Sequence, residues 1–255
     1  MQDQTEPINL FWTGGWDSTF RLLQLIVVFR KKVQPYYIID PERKSIQNER
    51  QTRKKIREEL LNKFPFSANL LLPVKTELLT RIKPNKEIFQ AYKRIIEKDK
   101  IGIQYEWLSR YCYEHGVSNM EICFETSIHP EDNIIKRVFG PIVKVEDDCG
   151  DHYILDSKYK STDAYLVFSN FKLVIFDYTK LEMQEESKKE GFFNILKHTW
   201  FCHSPTKNNK PCGKCHPCKT VHREGLGWRL PFSAKLRYHL WPALRLASNY
   251  MRVKP

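Results

Sequence analysis

Near its start the chain carries a short apolar segment that runs directly into a pair of glycines. Residues Ile8 to Trp12 have the character of a buried strand, and an apolar helical stretch follows through Phe29. Between them, Gly14 and Gly15 predict a tight turn that joins the strand to the helix. Because glycine has no Cβ, such a turn can bring its backbone N–H groups close to a bound anion.

Alternating strands and helices continue along most of the chain. Further strands are predicted at 36–39, 69–74, 118–124 and 171–176, and helices at 45–62, 86–98, 101–115 and 179–190. The segment from Gly140 to Phe168 fits neither pattern clearly. The alternation predicts an α/β fold with a doubly wound, mainly parallel sheet of five strands. In such a fold the ligand binds at the carboxyl ends of the strands.

Polar side chains directly after the glycines suit a phosphate ligand. Ser18 and Thr19 would add hydroxyl donors at the positive end of the helix dipole. Asp17 would repel a phosphate unless a cation lay between them, so this carboxylate predicts Mg²⁺. The spacing is neither that of a Walker loop nor that of a dinucleotide-binding loop. The alternative interpretation is an ordinary glycine turn with an aspartate helix cap.

Four of the seven cysteines crowd into one short segment: Cys202, Cys212, Cys215 and Cys218. Three closely spaced thiols and one more distant thiol can complete a tetrahedral Zn²⁺ site. Four thiolates leave no open coordination position, so such a zinc ion would be structural. Free or redox-active thiols and an iron–sulfur cluster are the alternatives.

Composition narrows the class of protein without selecting a partner. Hydrophobic residues make up 41% of the chain, enough for a substantial core, and the formal charge of +12 favours polyanions such as nucleotides, RNA or an acidic protein face. No apolar run reaches the ~18 residues that a membrane helix needs. The first residues are polar and acidic, which argues against a secretory signal. We therefore expect a protein without a membrane anchor that resides in the cytoplasm.

Two motifs together resemble a known family. The segment from Thr13 to Ser18 resembles the Ser-Gly-Gly-x-Asp-Ser pyrophosphate loop of ATP pyrophosphatases (PP-loop enzymes), with threonine in place of the first serine. The cysteine spacing resembles the Cys…Cys-Gly-x-Cys-x-x-Cys zinc site of the 7-cyano-7-deazaguanine synthase-like family within that group. Two further similarities are the Glu125-Thr126 pair and the helix start from Thr179 to Met183.

This resemblance implies an adenine nucleotide alpha hydrolase-like fold and an ATP-dependent carbon–nitrogen ligase that releases AMP and pyrophosphate. Its ATP site would comprise Thr13, Gly14, Gly15, Asp17, Ser18 and Thr19, with Asp17 and Ser18 acting in catalysis and Asp17 holding Mg²⁺. The four clustered cysteines would hold the structural zinc. The substrate would be a small-molecule carboxylate, 7-carboxy-7-deazaguanine, which ammonia converts to an amide and then to the nitrile, as in queuosine biosynthesis.

Two segments depart from the family pattern. The stretch from Lys100 to Tyr105 lacks the family's arginine and asparagine, and the stretch from Ser127 to Asp132 lacks its acidic, glycine-tyrosine residues. Three alternatives therefore stay open. One is a related enzyme of bacterial anti-phage defence that couples a deazaguanine to a protein or nucleic-acid amine. The others are a tRNA-modifying ATP pyrophosphatase and a nucleotide-binding zinc protein without enzymatic activity.

We expect the chain to comprise three parts. An ATP-binding α/β domain would span residues 1–198 and a zinc knuckle residues 199–224. A helical, basic and aromatic extension would span residues 225–255. The extension could pack on the domain, form a homodimer interface or present a partner surface.

Overall fold

The computed structural model describes residues 6–129, 131 and 133–240, and within them seven strands form one sheet. The strands are β1 (Ile8–Phe11), β2 (Val33–Ile39), β3 (Lys75–Leu78), β4 (Met120–Cys123), β5 (Ile142–Asp147), β6 (Gly150–Leu155) and β7 (Phe171–Val174). Their order in the sheet is β3-β2-β1-β4-β7-β6-β5. The pairs from β3 to β7 are parallel, whereas β6 runs antiparallel to both β7 and β5.

The helices connect and cover the strands. They are α1 (Trp16–Leu23), α2 (Ile46–Lys63), α3 (Lys86–Lys98), α4 (Gln104–Glu114), α5 (Ile134–Val138), α6 (Asp163–Phe168), α7 (Lys180–Lys189), α8 (Phe193–Leu196) and α9 (His216–Val221). Residues 232–240 are also helical, while residues 241–255 of the predicted extension lie outside the described residues. In the part of the chain that the structure describes, no helix is both long and apolar enough to cross a bilayer.

The predicted α/β class is confirmed, but the sheet has seven strands instead of five. The additional strands, β5 and β6, form an antiparallel hairpin within the segment that sequence patterns left unassigned. Six of the twelve residues in these two strands are exposed, and β5 has no buried residue. Its weak hydrophobic signal reflects this position at the edge of the sheet.

The third strand lies later in the chain than predicted. The apolar segment 69–74 makes only an isolated bridge between Leu71 and Val33, and β3 follows it. Leu71 is buried in the core, whereas the first two residues of β3 are exposed. The hydrophobic pattern therefore identified residues 69–74, which pack into the core. It did not identify β3, the more polar segment at the sheet edge that pairs with β2.

Two hydrophobic cores lie on opposite faces of the sheet. Leu10 belongs to one core together with Phe20 of α1 and Ile56 of α2, and the neighbouring Phe11 belongs to the other with Leu108 of α4. Successive side chains of a strand point to opposite faces, so helices must cover both. The first core also includes three of the four clustered cysteines, which joins the cysteine segment to the sheet domain.

Helix α1 is tied to the centre of the sheet by a buried ion pair. The guanidinium of Arg21 donates to both carboxylate oxygens of Glu121 on β4, at 2.8 and 2.7 Å, and each side chain is 3% exposed. Gln24 and the carbonyl of Cys149 accept the remaining bonds of the same guanidinium. This pairing fixes the position of α1, and with it the loop that precedes the helix.

Candidate functional site

A cavity of about 370 Å³ opens at the carboxyl ends of β1 and β4. In the sheet, β1 lies between β2 and β4. The chain continues from β1 to β2 on one side, whereas β4 and the strands after it pair on the other side, so the connections that follow β1 and β4 leave in opposite directions. This divergence is the switch point at which parallel α/β sheets bind ligands. The volume lies within the range of small-molecule sites.

The glycine loop forms one wall of this cavity. Thr13, Gly15, Asp17 and Ser18 line it, and α1 begins at Trp16 without a side-chain cap. The Ser18 hydroxyl is buried and has no hydrogen-bond partner among the described residues. Uncapped backbone N–H groups and an unpaired hydroxyl at the start of a helix form a site suited to a phosphate oxygen.

The other two residues of the predicted ATP site do not line the cavity. Gly14 has φ +84°, and a Cβ there would lie 3.2 Å from side-chain atoms of both Thr52 and Arg53 on α2. Thr19 is fully buried, and its hydroxyl accepts a hydrogen bond from the Trp12 indole at 2.9 Å. In this structure Gly14 and Thr19 shape the loop, and direct contact between them and a phosphate stays a prediction.

Asp17 meets two residues that are distant in sequence. The Lys180 ammonium, which is 7% exposed, donates to Asp17 Oδ1 and to Glu125 Oε1, at 2.7 Å in each case. Lys180 is held in place because Thr179 and Glu182 form a capping box at the start of α7. Sequence reasoning noted both the helix start and Glu125, but assigned neither of them a place beside Asp17.

The three charges of this cluster shift one another's pKa values. Burial raises the pKa of Asp17, and the nearby Glu125 carboxylate adds to the shift while Lys180 opposes it. Burial also disfavours the ionised form of Glu125, but Lys180 outweighs it and lowers the pKa of that carboxyl. Although burial opposes charge on Lys180, the carboxylates of Asp17 and Glu125 raise its pKa. One ammonium therefore lies between two carboxylates, which leaves one negative charge uncompensated within this trio.

Asp17 can still hold a divalent cation. Its Oδ1 is occupied by Lys180, but Oδ2 accepts no hydrogen bond within the described ranges, and the side chain is 28% exposed. Mg²⁺ is typically bound by one or two carboxylates together with phosphate oxygens and water. The net negative charge and the open carboxylate oxygen fit such an ion between Asp17 and a phosphate.

The cysteine cluster has the geometry of a metal site. The four sulfur atoms of Cys202, Cys212, Cys215 and Cys218 all lie within 4.8 Å of one another. The Cys215–Cys202 and Cys212–Cys218 sulfur pairs are 3.8 and 3.9 Å apart. Zn–S bonds of about 2.3 Å in a tetrahedron place sulfurs roughly 3.8 Å apart. These thiols could therefore hold a zinc ion.

Backbone groups around the cluster favour thiolates. The amide of Cys212 donates to the sulfur of Cys202 at 3.2 Å, and the amide of Cys215 donates to the sulfur of Cys212 at 3.3 Å. The amide of Gly213 donates to the sulfur of Cys218 at 3.4 Å. Such bonds stabilise the negative charge that a metal-bound sulfur carries. By contrast, burial raises the pKa of the isolated Cys112 thiol to about 12, as expected for a structural cysteine.

Residues next to the cysteine cluster form a second wall of the cavity. The backbone N–H of Trp200 donates to the carbonyl oxygen of Gly14 at 3.0 Å, and His203 and His216 line the cavity. The cavity thus combines side chains from both sides of the boundary predicted at residue 198. Helix 232–240 packs on the knuckle in turn, with Arg237 Nε donating to the carbonyl of Cys212 at 2.8 Å.

Arg229 is a cavity residue that sequence motifs did not identify. Its Nη2 donates to the backbone carbonyl and to the hydroxyl of Thr199, at 2.6 and 2.7 Å. Its guanidinium lies 4.7 Å from the ring centres of both Trp16 and Phe201. The other terminal nitrogen, Nη1, is buried and has no hydrogen-bond partner in the described part of the chain. Only its basic, aromatic neighbourhood in the sequence hinted at a role.

Of the two segments that depart from the family pattern, one reaches the cavity. Gln104 and Tyr105, at the start of α4, line it, and burial raises the pKa of the Tyr105 phenol. In the other segment, the Ser127 hydroxyl donates to Glu224, whose second oxygen accepts from the Ile128 amide at 3.2 Å. This second segment is thereby anchored to the residues after the knuckle; its Pro130 and Asp132 lie outside the described residues.

No family model matches the chain, and no curated protein matches it. Its function must therefore be inferred from the cavity, the charges that line it and the cysteine cluster beside it.

Proposed function

We propose that the chain is an ATP-dependent ligase that activates a carboxylate as an acyl-adenylate and transfers the acyl group to nitrogen. The observation that carries this proposal is the unpaired, buried Ser18 hydroxyl beside the uncapped start of α1, inside a cavity at the sheet's switch point. A phosphate group supplies the acceptor oxygens that these donors lack. The resemblance of the loop to those of ATP pyrophosphatases supports ATP as its source.

The reaction has two steps. A carboxylate oxygen of the substrate attacks the α-phosphorus of ATP, and the bond between that phosphorus and the bridging oxygen breaks, so that pyrophosphate leaves with the electron pair. A nitrogen nucleophile then attacks the acyl carbon, AMP leaves, and the nitrogen loses a proton to solvent. Formation of a nitrile from the amide requires a second activation. No covalent intermediate with the protein is needed.

The residues of this chain contribute mainly by holding charge and orientation. Thr13, Gly15 and Ser18 would hold the pyrophosphate portion of ATP. Asp17 would hold Mg²⁺, which neutralises phosphate charge when bound. Lys180 keeps Asp17 and Glu125 at fixed positions and reduces the repulsion between them. The four clustered cysteines would hold a structural zinc ion that maintains the second wall.

For the substrate, we propose 7-carboxy-7-deazaguanine with ammonia, as in the 7-cyano-7-deazaguanine synthase-like family, on a doubly wound, adenine nucleotide alpha hydrolase-like fold. Two aromatic residues that line the cavity, Tyr105 and Phe201, support a flat heterocyclic ligand because rings stack favourably. The proposed enzyme would act in the cytoplasm.

One observation favours a second candidate, with a different acceptor. Gln104 and Tyr105 line the cavity within the segment where the related enzymes carry arginine and asparagine. A changed lining there would alter what is adenylated, or what attacks the adenylate, while the glycine loop is kept. This second candidate is a ligase that joins a deazaguanine to a protein or nucleic-acid amine, as in anti-phage defence.

Incubation with ATP, Mg²⁺, 7-carboxy-7-deazaguanine and ammonia tests the proposal. We expect pyrophosphate release that depends on the carboxylate, with the nitrile detected by mass spectrometry. Accumulation of the adenylate or amide without nitrile would favour the second candidate. Absence of ATP turnover with any carboxylate and amine would contradict both candidates.

Ser18→Ala and Ser109→Ala provide a matched pair for this assay. Both serine hydroxyls are buried without a hydrogen-bond partner among the described residues, but only Ser18 lines the cavity. We expect pyrophosphate release to fall about 10-fold or more in Ser18→Ala, as for loss of one donor to developing charge. Ser109→Ala should retain the wild-type rate. Equal rates in the two variants would argue against a phosphate at Ser18.

A further inference from the structure

We propose that Arg229 binds the departing pyrophosphate through its unpaired Nη1, so that a residue after the cysteine knuckle completes the anion site of the glycine loop. This inference rests on the proposed function, because it takes ATP as the ligand. It adds a residue that neither the glycine loop nor the cysteine motif contains.

The first argument is the unsatisfied guanidinium itself. Nη1 of Arg229 is buried and donates no hydrogen bond to any described residue. A buried, charged donor without an acceptor costs free energy, and proteins retain such groups mainly at functional sites. An anionic ligand in the cavity that Arg229 lines would supply the missing acceptor.

A second buried arginine shows how the same fold treats a purely structural guanidinium. Arg21 donates to both oxygens of Glu121, to Gln24 and to the carbonyl of Cys149. Arg229, in contrast, has only the neutral oxygens of Thr199 as acceptors, and no described acidic residue forms an ion pair with it. Among the described residues only the Asp17 carboxylate acts on its charge, without an ion pair, so a bound anion would find a guanidinium that is free to pair.

The third argument is that Arg229 is held rigidly beside the loop. Its guanidinium lies 4.7 Å from the ring centres of both Trp16 and Phe201, and Trp16 is the first residue of α1. Thr199, which anchors Nη2, directly precedes Trp200, whose amide bonds to Gly14 of the loop. A side chain fixed in this way loses little conformational freedom when it binds a ligand.

Position and chemistry together favour pyrophosphate over the substrate's carboxylate. Ser18 and Arg229 offer unpaired donors within one cavity. Trp16, which contacts Arg229, lies two residues before Ser18 at the start of α1. Pyrophosphate carries several oxyanions and so offers acceptors to more than one donor, whereas a carboxylate has only two oxygens and a single charge. As the phosphorus–oxygen bond breaks, negative charge grows on the pyrophosphate, and a preorganised guanidinium stabilises it.

Electrostatics agree with this assignment. Burial lowers the pKa of the Arg229 guanidinium to about 9, and the Asp17 carboxylate opposes the shift. Burial therefore makes the positive charge costly in the absence of an anion, and a bound pyrophosphate would restore the guanidinium's usual strong basicity.

Titration calorimetry with inorganic pyrophosphate and Mg²⁺ tests the proposal on the zinc-loaded chain of 255 residues. We expect Arg229→Gln to bind pyrophosphate about 10- to 100-fold more weakly than wild type, the usual effect of losing a charge-assisted hydrogen bond. Arg94→Gln is the matched control, because Arg94 forms an exposed ion pair with Asp163 and does not line the cavity. Its affinity for pyrophosphate should equal that of wild type.

Arg229→Lys covers the case in which the glutamine variant fails to fold. Lysine keeps the charge but lacks the fork that reaches Thr199 and the ligand together, so we expect weakening by less than 10-fold. Circular dichroism and zinc content should match wild type in any variant that is used. If both folded Arg229 variants bind pyrophosphate as wild type does, the proposal is overturned.

A second titration, with acetate and benzoate as simple carboxylates, distinguishes the source of the anion. Loss of carboxylate binding with intact pyrophosphate binding in Arg229→Gln would overturn the proposal and assign Arg229 to the acceptor substrate. If wild type binds neither pyrophosphate nor ATP, the proposed function itself fails. If wild type binds both and the variants do too, only the assignment of Arg229 fails.

Discussion

Lys180 Nζ lies 2.7 Å from Asp17 Oδ1, although 163 positions of sequence separate the two residues. The same ammonium bonds Glu125, so one cation joins the ends of three elements: the start of α1, the end of β4 and the start of α7. The contact places the loop aspartate within a fixed charge cluster before any ligand binds. Several measurable consequences depend on it.

Lys180→Met should destabilise the fold in a pH-dependent way. Without the ammonium, two partly buried carboxylates face each other, and breaking a buried ion pair typically costs about 3–5 kcal/mol. Their mutual repulsion then raises both pKa values, so the folded variant takes up protons more readily than its unfolded chain. The free energy of unfolding, relative to wild type, should therefore recover as the pH falls from 8 to 5.5.

Urea unfolding at each pH measures this effect. Lys188→Met is the control, since Lys188 forms an exposed pair with Glu185, and we expect it to lose less than about 1 kcal/mol. A Lys180 variant whose deficit is the same at both pH values would show that the charge cluster does not behave as described.

Asp17→Asn should lower ATP turnover without lowering the free energy of unfolding. The pKa of Asp17 is raised by burial and by Glu125, so ionisation of this carboxyl opposes folding as the pH rises through the raised pKa. The asparagine variant should thus be at least as stable as wild type at pH 7. Its ATP turnover should fall about 100-fold or more, because the proposed Mg²⁺ site loses its carboxylate.

Pyrophosphate release across a Mg²⁺ titration, with urea unfolding of the same samples, checks both parts of this prediction. Asp163→Asn alters an exposed ion pair with Arg94 outside the cavity and should leave turnover unchanged. Wild-type turnover and Mg²⁺ dependence in Asp17→Asn would remove the basis for the proposed metal role.

Purified protein should contain about one zinc ion per chain. Because a structural site contributes its binding free energy to folding, Cys218→Ser should lose zinc and unfold at lower denaturant concentration. Cys112→Ser also changes a buried thiol, but one outside the cluster, and should keep its zinc. Elemental analysis distinguishes these outcomes; iron in place of zinc, or no metal in wild type, would contradict the assignment.

Gly213→Ala tests the packing of helix 232–240 on the knuckle. Gly213 has φ +78°, and a Cβ there would lie 2.1 Å from the carbonyl oxygen of Ala234. Gly191 has the same φ with nothing within 4 Å of its Cβ position, so Gly191→Ala incurs only the backbone strain of about 1–2 kcal/mol. The glycine at 213 should be the costlier to replace, as measured by unfolding free energy. Equal losses would mean that the helix adapts without cost.

Much of the parallel sheet could be predicted from sequence because its central strands are buried. Strands β1, β2, β4 and β7 coincide with apolar runs that end in turn or helix signals. The edge strand β3 and the hairpin of β5 and β6 did not stand out, since half-exposed strands need not be apolar. Pattern analysis is thus most informative where burial is greatest.

Only the local motifs of the candidate site could be predicted from the sequence. The limit here is sequence separation, not burial. The glycine loop and the cysteines are local motifs, and their spacing alone indicates their chemistry. Lys180 and Arg229 reach the cavity through tertiary contacts of long sequence separation, and their neighbours in the sequence do not indicate which side chain enters it. Thr19 shows the converse, because this motif residue is buried in the core while Ser18 beside it lines the cavity.

The hydrogen bond from Trp200 to Gly14 joins two segments of the site that are synthesised at different times. Proteins are synthesised from the N-terminus, so the glycine loop emerges from the ribosome long before the residues that form the opposite wall. A nascent chain that ends before residue 200 has the loop but no Arg229 and no knuckle. The cavity is thus complete only after residues 200 to 229 have emerged, and chains that terminate before residue 200 lack its second wall.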